Sequence, residues 1–179
     1  MKFKLDIKID DTDFYKFNEF VILRSPYGKK SMMALRLAIV VMLGLFSVMS
    51  FVMNGVTKGT LIALVPIAAL ILIMQLVLNP VMKSTLKKQL KTMTDAYSPE
   101  AEMAVYEDKI VYSDKDGEHN LRYGALDKVS IIKGKYVYLH QSSSNGYIIP
   151  MESFESEAQY AELEGLLKEK CKEINYYKK

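Results

Sequence analysis

Cysteine, histidine and recognisable catalytic motifs are scarce in this sequence, and their scarcity excludes several kinds of chemistry. Cys171 is the only cysteine, so no intramolecular disulfide can form, as expected in a reducing cytoplasm. The two histidines, His119 and His140, fall on separate predicted strands, without a second metal ligand at a recognised spacing. No glycine-rich phosphate loop, serine elbow or acidic dyad occurs. The sequence therefore predicts no catalytic residue, no metal and no cofactor.

Charge is absent from most of the middle of the chain. Residues 37–53 contain no charged side chain, and Gln75 is the only strongly polar residue of 60–78. At about 1.5 Å of rise per residue, each run reaches about 25 to 29 Å, close to the roughly 30 Å hydrocarbon core of a bilayer. The first run is apolar all round, whereas a helix in a soluble core has a polar outer face. We expect a transmembrane hairpin within 33–79, with spans at about 33–53 and 60–78.

Basic residues are concentrated at one end of these spans. Four basic residues, Arg24, Lys29, Lys30 and Arg36, precede the uncharged run 37–53, and four follow the second span, whereas the connecting loop holds only Lys58. Because loops rich in lysine and arginine stay in the cytoplasm, both termini are predicted to be cytoplasmic. Arg36, at the edge of the first span, is close enough to the interface to snorkel without a buried partner. The mild net charge of +3 gives no reason to expect nucleic-acid binding.

A basic segment, residues 80–98, follows the second span. Apolar residues recur in it at helical spacing, and Asn79 and Pro80 suit the first turn of a new helix. These apolar residues are Met82, Leu86, Leu90, Met93 and Tyr97. Two interpretations stay open: a juxtamembrane helix on the inner leaflet, or a connector that packs on the neighbouring domain. In the first, the candidate lipid-binding residues are Lys83, Lys87, Lys88 and Lys91.

Small residues mark one side of the first span. Gly44, Ser47 and Ser50 recur every three residues, and small side chains let helices approach closely. The spacing is compatible with packing inside the hairpin or with a homodimer formed through this face. In the second span, Pro66 is expected to kink the helix.

After residue 99 the hydrophobic pattern changes from that of helices to that of strands. Six short runs rich in β-branched and aromatic residues are separated by turn residues. A helical pattern follows Pro150 and continues to about Ile174. The six predicted strands are 103–106, 110–113, 120–123, 129–132, 136–140 and 147–149.

The N-terminus supplies one more strand. Apolar and charged residues alternate in 1–10, and such a half-buried strand needs the later sheet as its partner. Residues 11–32 are predicted to form a short amphipathic helix, to about Leu23, and a linker. Seven antiparallel strands closed by a C-terminal helix, from 1–10 and 99–179, are the outline of a pleckstrin-homology-like (PH-like) barrel or sandwich. We therefore expect an α+β membrane protein in which the transmembrane hairpin is inserted after the first strand of a PH-like domain.

Further motifs occur along most of the chain. They are Phe17 to Phe20, Ser25-Pro26, Ala104 to Tyr112, Leu121 to Val129, Lys135 to Leu139, and Gly146 to Pro150 with Phe154. Together these segments resemble the YcxB-like family of bacterial membrane proteins. The resemblance implies a cytoplasmic PH-like domain tied to two transmembrane helices, in a multi-pass protein of the bacterial cell membrane. It implies no established reaction.

Tyrosine is abundant in the predicted sheet. Tyr136 and Tyr138 share one face of a strand, because side chains alternate along it. As half-buried residues they would stabilise the sheet, and as exposed residues they would be candidate partner-binding anchors.

These observations predict a membrane-anchored binding or regulatory module without enzymatic activity. Its PH-like domain would recognise a protein, a peptide or a lipid head group at the inner leaflet. The alternative is an immunity or resistance factor against a membrane-active peptide. An oligomeric transport subunit is a weaker alternative, because the spans lack polar lining. The expected partners are the phospholipid bilayer and a protein or peptide.

Overall fold

The structure of the protein is a computed structural model that describes residues 1–55, 58–92, 97–143 and 145–178. Within helices, the side chains of 54, 59–64, 75 and 91 are also outside this description. The chain divides into two compact units: a sheet unit, residues 1–18 and 90–179, and a helical unit, residues 19–89.

The first sheet of the sheet unit joins the N-terminus to the middle of the chain. Its four strands lie in the order β1-β2-β3-β4 and are all antiparallel. β1 pairs with β2 from Phe3, opposite Val105, to Lys8, opposite Glu100. The half-buried β1 thus has the partner strand in the later sheet that its alternating pattern predicts. The strands are β1 (Phe3–Lys8), β2 (Glu100–Val105), β3 (Lys109–Asp114) and β4 (Gly117–Arg122).

The second sheet has the order β7-β6-β5-β8 and contains one strand more than predicted. Its strands are β5 (Lys128–Ile132), β6 (Tyr136–His140), β7 (Gly146–Pro150) and β8 (Ile174–Tyr177). β8 runs parallel to β5, with Ile174 opposite Val129. The predicted helix to about Ile174 is therefore wrong at its end. A four-residue strand with aromatic neighbours cannot be separated from a helix end by periodicity alone.

The two sheets form a mixed α+β fold that is consistent with a β-sandwich. Rings of Tyr112 on β3 and Tyr147 on β7 lie 4.5 Å apart between the sheets. Helix α4 (Glu157–Lys170) buries Leu163, Leu166 and Leu167, and Ser156 caps it by accepting a hydrogen bond from the Gln159 amide. The other fully buried residues of this core include Leu5, Ile7, Met103, Ile110, Leu126, Leu139 and Ile149.

Helix α1 (Asp11–Glu19) begins with a reciprocal cap. The Asp10 carboxylate accepts from the Asp13 amide at 2.8 Å, and the Asp13 carboxylate accepts from the Asp10 amide at 3.2 Å. The helix predicted for residues 11–23 is two segments, because a π-helical turn (Phe20–Arg24) follows α1. That turn belongs to the helical unit.

Helix α2 (Pro26–Asn54) starts at a close approach of the chain to itself. The Ser25 hydroxyl donates to the Val21 carbonyl at 2.6 Å and accepts from the Gly28 amide at 2.9 Å. A Cβ on Gly28 would collide with the carbonyl oxygens of Val21 and Ile22. Only glycine fits here without a shift of the backbone.

Helix α3 (Lys58–Lys91) continues without interruption past Pro80, where the sequence predicted the start of a new helix. Pro80 lies inside α3, and the Asn79 amide oxygen accepts from the Arg36 guanidinium at 3.0 Å instead of capping. The segments Val65–Met74 and Leu76–Leu90 meet at 45°. A proline removes the hydrogen bond to the carbonyl four residues earlier, so Pro80, and not Pro66, explains a bend beside Leu76. Of the stripe predicted for 80–98, Met93 lies outside the described residues and Tyr97 is not helical.

One straight helix among the described residues, Pro26–Met53, is long and apolar enough to cross a membrane. The stretch from Val65 to Leu90 meets the same criteria only if its bent halves count as one span. The first predicted span, 33–53, lies within this helix, whereas the second, 60–78, overlaps the bent stretch, so the hairpin of two spans stays a prediction. Both carry large apolar side chains on exposed faces, such as Phe46, Val52 and Leu76.

Candidate functional site

The predicted lipid-binding lysines lie on one side of α3. Positions 83, 87, 88 and 91 are opposite the face that buries Leu78 and Leu86, because successive residues turn by about 100°. Lys83 is paired with the Glu19 carboxylate at 2.7 Å, whereas Lys87 and Lys88 are exposed. The side chain of Lys91 is outside the described residues. Among the described side chains of this face, the free positive charge is therefore centred on Lys87 and Lys88.

The predicted partner-binding tyrosines are buried instead of exposed. Tyr136 and Tyr138 share a face of β6, with stacked rings 5.4 Å apart, but α1 covers that face. The Tyr136 hydroxyl donates to Asp13 at 2.5 Å and accepts from Lys16 at 3.1 Å. This burial raises the pKa of Tyr136 above its usual range. Both tyrosines hold α1 on the sheet, which corrects their prediction as exposed anchors.

The same interface contains a buried histidine. Phe17 of α1 stacks on His140 at 5.8 Å, and His140 Nε2 lies 3.1 Å from the Ser130 hydroxyl. Burial and, to a smaller extent, the nearby Lys128 lower the pKa of His140 to about 4. His140 is therefore neutral at physiological pH and acts as part of the packed interface.

The small residues of α2 differ in exposure within the helical unit. Ser47 and Ser50 are half-buried, and the Ser47 hydroxyl donates to the Leu43 carbonyl at 2.9 Å. Gly44 is exposed, and a Cβ there would meet no atom of the described chain within 4 Å. A homodimer through this face stays a prediction, with Gly44 as its accessible member.

A groove of about 1050 Å³ lies beside α4 and β8 in the sheet unit and is called here the α4–β8 groove. Four aromatic side chains line it, and Tyr176 is the most accessible, with 56% of its surface exposed. Phe154 and Tyr160 meet edge to face at 5.6 Å on the wall formed by the start of α4. The aromatic lining residues are Phe154, Tyr160, Tyr176 and Tyr177.

Charged groups line the groove together with these aromatic residues. Glu164 accepts from the Tyr176 hydroxyl at 2.7 Å and pairs with Lys168 at 3.0 Å. The hydrogen bond from Tyr176 lowers the pKa of Glu164, and Lys168 adds to the effect. Lys133 and Lys178 line the same groove. The arrangement offers aromatic anchors and charges of both signs, which suits recognition of a polypeptide segment.

Strand β8 gives the groove a second means of recognition. It is the last strand of its sheet and pairs with β5 on one side. An edge strand can accept another extended segment through main-chain hydrogen bonds. The sequence does not predict this site, because its helical pattern extends to about Ile174 and hides β8. The adjacent Tyr176 and Tyr177 near the chain end were the available signal.

The described residues contain no group of three or more histidine, cysteine, aspartate or glutamate side chains able to hold a metal ion. His119 is exposed and lies 3.9 Å from Asp114. Burial raises the pKa of Cys171 to about 11, so its thiol stays protonated at neutral pH.

Comparison with known proteins identifies one family. The family model described as YcxB-like protein matches residues 105–167, from the end of β2 into the last turns of α4. No curated protein and no solved structure matches the chain. The matched region contains most of the segments that resemble this family in the sequence analysis. The chain therefore carries a YcxB-like domain, as its motifs predict.

Proposed function

We propose that this protein is a membrane-anchored binding module without enzymatic activity. In this proposal α2 and α3 form a hairpin in the bacterial cell membrane, with both termini in the cytoplasm. The sheet unit is a PH-like domain that binds a polypeptide segment in the α4–β8 groove. The exposed Tyr176 between aromatic and charged walls is the observation that carries the binding role.

The exposed apolar surface of α2 supports the membrane anchor. Val52 is 80% exposed and Phe46 is 69% exposed, and none of the helix's most apolar stretch is buried. In water, such a surface would far exceed the patches that soluble monomers tolerate. Lipid is the solvent that suits a helix of this kind.

The order of the strands supports the PH-like assignment. A four-stranded antiparallel sheet is followed by the antiparallel strands β5, β6 and β7 and then by helix α4. β8 is an addition to this seven-strand outline and forms one wall of the groove.

The exposed Lys87 and Lys88 support a contact with the inner leaflet. Each lysine near an anionic surface contributes on the order of 1 kcal/mol to membrane binding. Lys83 contributes less in this proposal because Glu19 already neutralises it.

Photo-cross-linking tests the groove directly. A photoreactive phenylalanine analogue replaces Tyr176 in the full-length protein in cells, and the same analogue at Lys115 is the matched control. Lys115 is exposed at the turn between β3 and β4, away from the groove. We expect a specific polypeptide adduct at position 176, absent at 115 and lost when Tyr160→Ala is added. Equal adducts at both positions, or none at 176, would contradict the groove.

A second function is favoured by the same exposed face of α2. In this second proposal, the protein is an immunity or resistance factor that binds a membrane-active peptide within the bilayer. Exchange of residues 26–91 for an unrelated hairpin separates the two proposals. Groove-dependent cross-linking should survive the exchange, whereas resistance that depends on the native helices should be lost.

A further inference from the structure

A second recess of the sheet unit lies apart from the α4–β8 groove and shares no lining residue with it. It is a pocket of about 250 Å³ between α1, the start of β2, the β3–β4 turn and the loop before β7. We call it the Ser98 pocket. Its volume is that of roughly eight water molecules, enough for a short organic group.

Aromatic rings form the walls of the Ser98 pocket. Tyr112 and Tyr147 lie with their ring centroids 4.5 Å apart on one side. Phe14 and Tyr97 stack at 4.7 Å on the other side. The π-faces of such rings attract cations, most strongly where water is partly excluded.

A carboxylate provides the charge of the pocket. The Asp114 side chain is only 13% exposed, and its nearest basic group among the described residues is His119 at 3.9 Å. Asp116 is a second acidic residue of the lining, and none of the lining residues that the structure describes is a lysine or arginine. Burial and then the Asp114 charge raise the pKa of Tyr112 to about 12, so this phenol stays neutral beside the carboxylate.

Uncharged oxygen atoms complete the lining. Ser98 is 6% exposed, and its hydroxyl has no hydrogen-bond partner among the described residues. Asn18 and Asn145 line the same pocket. A ligand with N–H donors would satisfy such groups, whereas a quaternary ammonium has no N–H to donate. The carboxylates do not belong to a three-residue cluster that could hold a metal ion in the described chain.

We propose that the Ser98 pocket binds a primary ammonium group on a short alkyl chain. Asp114 is the counter-ion of this group, and the rings of Tyr112 and Tyr147 contact its positive charge. This ligand chemistry occurs in free alkyl amines and in the ethanolamine head group of a phospholipid. The site is independent of the α4–β8 groove, so it adds a small-molecule ligand to the proposed polypeptide partner.

Ethanolamine is the probe that tests the site in the full-length protein in nonionic micelles, and choline is the matched control. The chain has no tryptophan, so tyrosine fluorescence reports the titration. We expect saturable ethanolamine binding and much weaker choline binding. Asp114→Asn should weaken ethanolamine binding about ten-fold or more, because it removes a charge-assisted hydrogen bond. The Asp114 carboxylate accepts a hydrogen bond from the Asp116 backbone amide at 2.9 Å, and the side-chain oxygen of the asparagine can accept the same bond.

Two further variants keep this test decisive. Asp108→Asn removes a carboxylate from the exposed β2–β3 turn, outside the pocket, and should leave binding within about two-fold. Tyr147→Leu keeps an apolar wall without its π-face and should weaken binding several-fold, even if Asp114→Asn fails to fold. The proposal is overturned if the wild type does not bind ethanolamine saturably, or if Asp108→Asn and the pocket variants bind alike.

The origin of the amine is resolved in nanodiscs. In discs with phosphatidylethanolamine, free ethanolamine should bind more weakly than in discs of phosphatidylglycerol alone if the head group already occupies the pocket. Equal binding in both discs supports the site with a soluble amine as its ligand. Loss of binding in both discs overturns the site.

Discussion

His140 shows how a single residue links packing to pH. It is fully buried between Phe17 and the Ser130 hydroxyl, and its pKa is lowered to about 4 by burial. An unfolded histidine has a pKa of about 6.5, so the unfolded chain binds an extra proton between these two values. The free energy of unfolding should therefore decrease as the pH falls below about 6.5, by up to about 3 kcal/mol near pH 4.

The variant His140→Phe tests this prediction. Urea unfolding of the full-length protein, followed by the near-ultraviolet circular dichroism of its tyrosines, should show a shallower loss of stability between pH 6.5 and 4.5 in the variant. The exposed His119→Gln is the control and should keep the wild-type slope. The same slope in wild type and His140→Phe would show that His140 does not carry the dependence.

Three residues illustrate what alternation and spacing predict and what they leave open. Alternation placed Tyr136 and Tyr138 on one face of β6, and their rings do stack there. Which face a helix covers depends on tertiary packing, so the burial of both under α1 was not predictable. Arg36 was expected to snorkel, but it finds the Asn79 amide on α3, a partner 43 residues away. Long-range hydrogen bonds of this kind leave no local pattern in a sequence.

At the scale of elements, the strands were the most predictable part and the ends of helices the least. Each of the seven expected strands overlaps an observed one, because alternation and turn residues are local signals. The prediction of a new helix at Pro80 was wrong, because proline occurs both in the first turn of a helix and inside a bent helix. The α4–β8 groove depends on β8, whose four residues carry too short a pattern to be recognised.

Two glycines of α2 give a matched prediction at this scale. Gly28→Ala places a Cβ against the Val21 and Ile22 carbonyls, so it should destabilise the start of α2 by about 1 to 3 kcal/mol. Gly44→Ala meets no atom and should be neutral or stabilising by up to about 1 kcal/mol. Thermal unfolding in micelles, followed by far-ultraviolet circular dichroism, measures both. Equal effects of the two variants would contradict the close approach at Gly28.

The whole molecule combines an interrupted sheet unit with a helical unit inserted into it. β1 and β2 pair directly although more than ninety residues separate them along the chain, and the helical unit lies between them in sequence. Closure of so long a loop costs conformational entropy that grows only slowly with its length. Insertion of the helices into a membrane would hold the loop ends near one surface, which is consistent with a hairpin whose two ends return to the same side.

The proposed membrane hairpin predicts which side of the membrane each turn reaches. In a Cys171→Ser background, single cysteines replace Lys58, at the start of α3, and Lys115, at the β3–β4 turn; both lysines are exposed. A membrane-impermeant maleimide should label Lys58→Cys in intact bacterial cells with a permeable outer layer, and Lys115→Cys only after the inner membrane is opened. The reverse pattern would place the α4–β8 groove outside the cell and contradict a cytoplasmic partner. Labelling of both sites, or of neither, in intact cells would place the two turns on one side of the membrane, which a hairpin between them does not allow.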